Sequence, residues 1–270
     1  MSPLELLRQF YRPIQPSVGR NHTLIRYEEF LPETQLRPYI YCFWRLRSEG
    51  PLPEPYTYRV VSDGCIDIFF ETEAATNSFV MGFCRKYTEF DIGTEFDYFG
   101  IRFLPSTFTL LFEIDAKRIS NQDLPLEQIL PQLASSLSSM ENPGLDHSSI
   151  VSFLNDMLID HVDQANPDID ARFYVALISI FRRHGHIDVE QELNTGLSPR
   201  QLRRVFNYYI GTTPKAFSNV VRFQYILNAK PTSQSLKVNK IYYDVGFFDQ
   251  AHFIKSFKAF YGVTPAQAFR

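Results

Sequence analysis

The sequence predicts an α+β protein of two domains, a mainly β N-terminal domain with helices followed by an all-α C-terminal domain. Three observations predict it. Short runs rich in β-branched and aromatic residues follow one another between about residues 20 and 118. Beyond residue 171, apolar residues recur at helical spacing between helix start and stop signals. Charge divides at the same place: residues 1–170 hold 13 Lys and Arg against 25 Asp and Glu, and residues 171–270 hold 14 against 5. The net charge of −3 over all 270 residues conceals this split, and a chain of that length, 44% apolar and 15% aromatic, can bury at least two cores.

In the N-terminal part, "YTYRVV", "CIDIFFE", "FVMGFC" and "FDYFGIRF" read as strands, and Asp63-Gly64 between the first two is a hairpin-turn signal. Within "CIDIFF", Ile66, Ile68 and Phe70 share one face and Asp67 lies on the other, before "PSTFTLLFEI" switches to a helical period. No Lys or Arg occurs from residue 119 to 171. There "SSIVSFLNDMLIDHV" sets Ile150, Leu154, Met157 and Leu158 on one face of an amphipathic helix, suited to an inter-domain strut or to dimerisation. The expected division is 1–145, a linker helix over 146–166, and 167–270. Pro167 and Asp168 open the first helix of the last domain, whose apolar stripe is Ile169, Phe173, Ala176, Leu177 and Ile180.

The C-terminal part uses one short device twice. "GLSPRQLRRVFNYYIGTTP" starts at Gly196 and "GFFDQAHFIKSFKAFYGVTP" at Gly246. Counted from Ser198 or Asp249, each has an apolar residue at +4 (Leu202, Phe253), Phe at +8 (Phe206, Phe257), Gly at +13 (Gly211, Gly262) and Pro at +16 (Pro214, Pro265), an offset of 51 residues. Ser198 is a natural N-cap, Pro199 fits the first helical position, and Gln201 completes a capping box. Leu197 with Leu202, and Phe248 with Phe253, have the spacing of a hydrophobic staple. Gly211 and Gly262 supply the left-handed residue that ends each helix, and Thr-Pro prevents continuation.

Upstream of the copies lie "HIDVEQELNTG" and "SLKVNKIYYDVG", short apolar-spaced stretches that close on Gly196 and Gly246. Helix, tight Gly-containing turn and capped second helix form the helix-turn-helix pattern. A basic end on an acidic chain is the electrostatic footprint of nucleic-acid binding. Residues 171–270 resemble the DNA-binding domain of the AraC/XylS transcriptional regulators, above all in Gly246-Phe247, Asp249-Gln250, His252-Phe253, Phe257, Gly262 and Thr264-Pro265, and in "LSPRQLRRVF". The resemblance implies seven helices, with two helix-turn-helix units joined by the long helix "PKAFSNVVRFQYILNAK". It also implies two recognition helices that enter successive major grooves about 34 Å apart on double-stranded DNA. Tyr242 stands where the second unit commonly has Ala, and implies different packing between that unit's helices.

Helical spacing puts Leu202, Val205, Phe206, Phe253 and Phe257 in the core, which leaves Arg200, Gln201, Arg203 and Arg204, with Gln250, Ala251, His252 and Lys255, as candidate DNA-binding residues. Arg pairs bidentately with guanine, Gln with adenine, and an alanine methyl touches the thymine methyl. The resemblance implies base contacts from Arg200, Arg203, Arg204, Gln250, Ala251 and Lys255. The competing readings are phosphate contact for the basic side chains and internal packing for His252.

"VSDGCIDIFF" and "FGIRFLP" look like an N-terminal domain of unknown function found joined to AraC-type tails. In the wider family such a domain often binds a small-molecule effector or a second subunit, and contact with RNA polymerase stays open. His22 is the one histidine before His147, so no metal or cofactor is expected. Cys42, Cys65 and Cys84 lie in apolar strand patterns and read as structural thiols of a reduced cytoplasm, and no stretch suggests a signal peptide or a membrane span. Trp44, with Phe43, Tyr41 and Tyr58, reads as core or as the lining of an aromatic pocket. The expectation is a non-enzymatic, cytoplasmic transcription regulator. Its rivals are a DNA-modifying or repair enzyme targeted by the tail, and an interaction protein that has lost DNA binding.

Overall fold

The computed structural model describes residues 2–16, 23–140, 146–165, 170–189, 191–229, 246–247 and 249–269. Phe248, Ile169, the Pro167-Asp168 entrance and the segment 230–245 with Tyr242 lie outside the described residues. The N-terminal part is mostly β. Strands β1 (Ile25–Phe30), β2 (Ile40–Ser48), β4 (Ile66–Glu71), β5 (Ser78–Met81), β7 (Asp97–Phe103) and β8 (Asp123–Pro125) form an antiparallel sheet in the order β1-β2-β7-β4-β5-β8. Strands β3 (Thr57–Val60) and β6 (Thr88–Asp91) pair only with each other, as a two-stranded ribbon.

Strand alternation gives the large sheet two unlike faces. Phe43, Ile66, Ile68, Phe70, Phe99 and Ile101 point to one side and join Leu126, Leu133, Leu137, Ile150, Leu154 and Leu158 in a core. Those last residues come from helices α3 (Leu126–Ile129), α4 (Pro131–Ser138) and α5 (His147–Gln164), so the helix read as a linker seats its apolar face on the N-terminal sheet. Trp44, Asp67, Phe69, Tyr98 and Arg102 point to the other side, which the ribbon covers. Trp44 faces Gly100 in the register of β2 and β7, and a Cβ on Gly100 would lie 2.1 Å from the indole. The glycine therefore lets the indole lie across β7.

The expected hairpin at Asp63-Gly64 is not formed: β3 pairs with β6, and β4 with β5 and β7. The Asp63 carboxylate is consumed instead by the Cys65 N–H at 2.9 Å and by Gln15 Nε2 at 2.8 Å, so its turn is a buried crossover between the two sheets. Gly64 supplies the left-handed φ of 81° that the crossover needs.

The C-terminal region is helical, with α6 (Ala171–Arg182), α7 (Pro199–Ile210), α8 (Pro214–Asn228), α9 (Gln250–Tyr261) and α10 (Pro265–Ala268) among the described residues. The helix expected over "HIDVEQELNTG" is reduced to turns. Asp188 accepts from Gln191 N at 3.2 Å and its carbonyl from Glu192 N at 2.8 Å, and no helix is described between Arg182 and Pro199.

The two parts share a core. Helix α1 (Pro3–Phe10), capped by a Ser2–Glu5 capping box, places Leu4 and Leu7 with Phe173, Leu177 and Phe181 of α6. Leu110 of α2 (Thr107–Phe112) and Phe83 join the same cluster. Gln224 of α8, 2% exposed, ties this together. Its Oε1 accepts from Ile14 N at 2.8 Å, and its Nε2 donates to Ser62 O at 2.9 Å and Ile14 O at 3.3 Å.

Two outcomes are expected in denaturant unfolding of the whole chain. Gly100→Ala should cost about 1 to 3 kcal/mol through overpacking against Trp44. Gln224→Leu should cost about 1 to 3 kcal/mol for each backbone group left unpaired; a neutral Gln224→Leu would mean that the two parts do not depend on this bridge.

Candidate nucleic-acid interface

Helix α7 is fixed at both ends by its own residues. Ser198 accepts from Gln201 N at 3.3 Å while Gln201 Oε1 accepts from Ser198 N at 3.0 Å, and Gly211 ends the helix at φ 88°. Helix α9 starts at Asp249, whose carboxylate accepts from His252 N at 2.7 Å, and ends at Gly262 with φ 95°. Leu202, Phe206 and Ile210, and in α9 Phe253, Phe257 and Tyr261, are buried, so each helix has one fixed face. Val205 is half-buried against the same core.

The opposite faces carry all eight candidate side chains. Arg200, Gln201, Arg203 and Arg204 on α7, and Gln250, Ala251, His252 and Lys255 on α9, are exposed. Gln201 is nevertheless folded back over its own helix start, where its Oε1 serves the cap. His252 is exposed, yet its ring sits edge-on to Phe247 with centroids 5.3 Å apart.

Three polar residues of α8 that sequence reasoning passed over complete this surface. Lys215, Asn219 and Arg222 line a groove of about 700 Å³ with Arg203 of α7 and His252 of α9, in which Asp188 is the single carboxylate among the described lining residues. Their spacing of four and then three residues was the available signal: it marks a polar stripe on a helix that otherwise reads as a buried connector. Arg222 also clips the units together. It donates to Gly185 O at 2.9 Å and Gly246 O at 3.3 Å, and stacks over Phe247 at 5.3 Å. Gly246 has φ 77° and its Cβ would lie 2.4 Å from the His186 ring, so only glycine fits this contact.

Two capped helices with exposed polar and basic faces, carried on a common helix, form a surface suited to nucleic acid. Residues 194–270 match the model of a helix-turn-helix domain and are a domain of the AraC type, while residues 28–125 match a domain of unknown function, DUF6597. An uncharacterized HTH-type transcriptional regulator of Haemophilus influenzae is 36% identical over 101 residues, a stretch that is 36% of this chain and 33% of that relative. The match thus spans about a third of the relative's length. Among solved structures, ToxT from Vibrio cholerae O395 is 10% identical, with a TM-score of 0.42 over 92% of this chain and 98% of ToxT. ToxT bound to (E)-4-(8-methylnaphthalen-1-yl)but-3-enoic acid is 10% identical, with a TM-score of 0.43 over the same shares.

Two substitutions test the interface. Ser198→Ala is expected to lower stability by about 1 kcal/mol through loss of the cap, read by thermal or denaturant unfolding. Lys215→Ala is expected to weaken binding to every duplex alike and to make the slope of log affinity against log salt shallower by about one; an effect confined to one duplex sequence would place Lys215 on a base instead.

Proposed function

We propose that the protein is a sequence-specific DNA-binding transcriptional regulator that reads two successive major grooves with α7 and α9. The observation that carries this reading is the exposure of Arg200, Arg203, Arg204, Gln250, Ala251 and Lys255 on two helices whose other faces are buried in two neighbouring cores that share α8. Arg204 and Arg203 suit guanine, Gln250 suits adenine, and the Ala251 methyl suits thymine. Gln201 and His252 contribute mainly to holding the two helix starts, with Lys215 facing phosphate. A regulator of this kind works where the DNA is, in the bacterial cytoplasm, and no helix among the described residues is long and apolar enough to cross a membrane. The N-terminal domain acts as its sensor or assembly part, through a small effector or a second copy.

The cysteines speak against the repair-enzyme alternative. A methyl-accepting cysteine must be an activated thiolate. Burial pushes all three thiols up, Cys84 to about 11 and Cys42 and Cys65 further, so none is a thiolate at neutral pH.

Selection of bound duplexes from a random library by the whole protein tests the reading directly. Two enriched blocks about one helical turn apart are expected. One block would mean that a single unit reads DNA, and no block would overturn the proposal. On the selected duplex, Arg204→Ala is expected to cost about 1 to 3 kcal/mol and to relax preference at one position; equal loss on all sequences would move Arg204 to the phosphates.

A further inference from the structure

The ribbon and the large sheet flank a cavity of about 200 Å³ that is partly open to solvent. A dry cavity of about 150 Å³ holds a benzene ring, so this space suits one aromatic ring with a short substituent. Its walls are Trp44, Phe69, Phe79 and Tyr98 from the sheet and Tyr58 and Phe90 from the ribbon. Phe69 is the centre of this set, with ring centroids 5.5 Å from Phe79, 6.3 Å from Trp44 and Tyr98, and 6.4 Å from Phe90. Of the four aromatics that the sequence grouped together, Trp44 and Tyr58 reach the cavity, while Phe43 points to the opposite core and Tyr41 lies against Arg8.

The charge of the site has a definite sign. Asp67, Asp91 and Asp123 line the cavity, against Arg102 as the single cation among the described lining residues. Arg102, 1% exposed, is already committed. It donates to Asp67 Oδ2 at 2.9 Å and lies 3.5 Å from Asp63 and 3.8 Å from Glu29. Asp67 Oδ2 also accepts the Trp44 indole N–H at 3.0 Å. Burial pushes the Asp67 carboxyl up to about 6 against the pull of Arg102. A second groove of about 460 Å³ shares Ile92 and Tyr98 with the cavity and is lined by Glu71, Glu73, Glu95 and Asp97 against Arg47. The site and its neighbouring groove are therefore both electronegative.

We propose that this cavity binds a small aromatic cation, a single ring carrying an ammonium or quaternary ammonium group. Aromatic faces attract such a charge through their quadrupoles, and the effect grows where water is excluded. Asp91 and Asp123 add long-range attraction at the rim, where an anion would meet two like charges outside the Arg102–Asp67 pair. The assignment deepens the reading of the N-terminal domain as a sensor and rests on it; ring size and charge sign follow from the cavity itself.

The test uses the whole protein, because Trp44 is its one tryptophan and sits in the cavity wall. Benzyltrimethylammonium, neutral benzyl alcohol and anionic phenylacetate are titrated in turn while the indole emission is recorded. The expected result is a saturable change with the cation at a concentration at least tenfold below that needed for either of the others. An Asp91→Asn, Asp123→Asn double variant, at two exposed positions, is expected to weaken the cation several-fold and leave the neutral probe unchanged. Tighter binding of phenylacetate, or no saturable response to any probe, would overturn the proposal. The readout requires no DNA, so a protein that binds the cation but selects no duplex would retain the cavity assignment and lose the regulator reading.

Discussion

The structure depends on the two halves of the chain sharing one interior, and the buried amide of Gln224 is the bond that fixes their register. Both ends of that side chain are used on residues more than a hundred and sixty positions away, Ile14 and Ser62. A buried amide satisfied in this way is worth little against water but a great deal against its own removal, because three backbone groups would be stranded. Around it, Phe217 of α8 approaches Gly64 so closely that a Cβ there would lie 2.9 Å from the ring, and a Cβ on Gly211 would lie 2.8 Å from the Ala116 carbonyl. The glycines of the helix ends and the crossover thus act twice, once for backbone conformation and once for close approach.

What could be read from sequence was what is decided locally. The caps at Ser198 and Asp249 and the stops at Gly211 and Gly262 depend on residues three or four apart, and the structure shows each of them. The faces of β4 follow from alternation, so Ile66, Ile68 and Phe70 fall where expected. The misplaced hairpin has the opposite character. Thr57–Val60 pairs with Thr88–Asp91, far along the chain, and the local Asp-Gly signal lost to that pairing and to a bond from Gln15 that no window around residue 63 contains.

The same reasoning accounts for the two sites. On the helical surface, exposure followed from amphipathic spacing, and the eight candidate side chains are all exposed. Lys215, Asn219 and Arg222 were overlooked because α8 was assigned a connecting role, although its polar stripe was already legible. In the cavity, parity separates Trp44 from Phe43 on adjacent positions of one strand. That the Asp67 face is buried rather than solvated was not visible, since burial there comes from a ribbon whose pairing is long-range.

The ribbon belongs to both sites, and this gives the arrangement its logic. Tyr58 and Val60 roof the cavity, and Val61, the next residue, packs with Phe253 and Phe257 of α9. Ser62 N donates to Phe260 O at 3.4 Å and Tyr87 N to Ala259 O at 3.3 Å, while Arg59, ion-paired with Glu89 at 2.6 Å, sits against Gly262. The end of the second capped helix is therefore held by the same strands that close over the cavity. A ligand shifts a protein between two arrangements only by the difference in its affinity for them, however tightly it binds. For a ligand in the proposed cavity, a shift of the ribbon would change its walls and the support of α9 together.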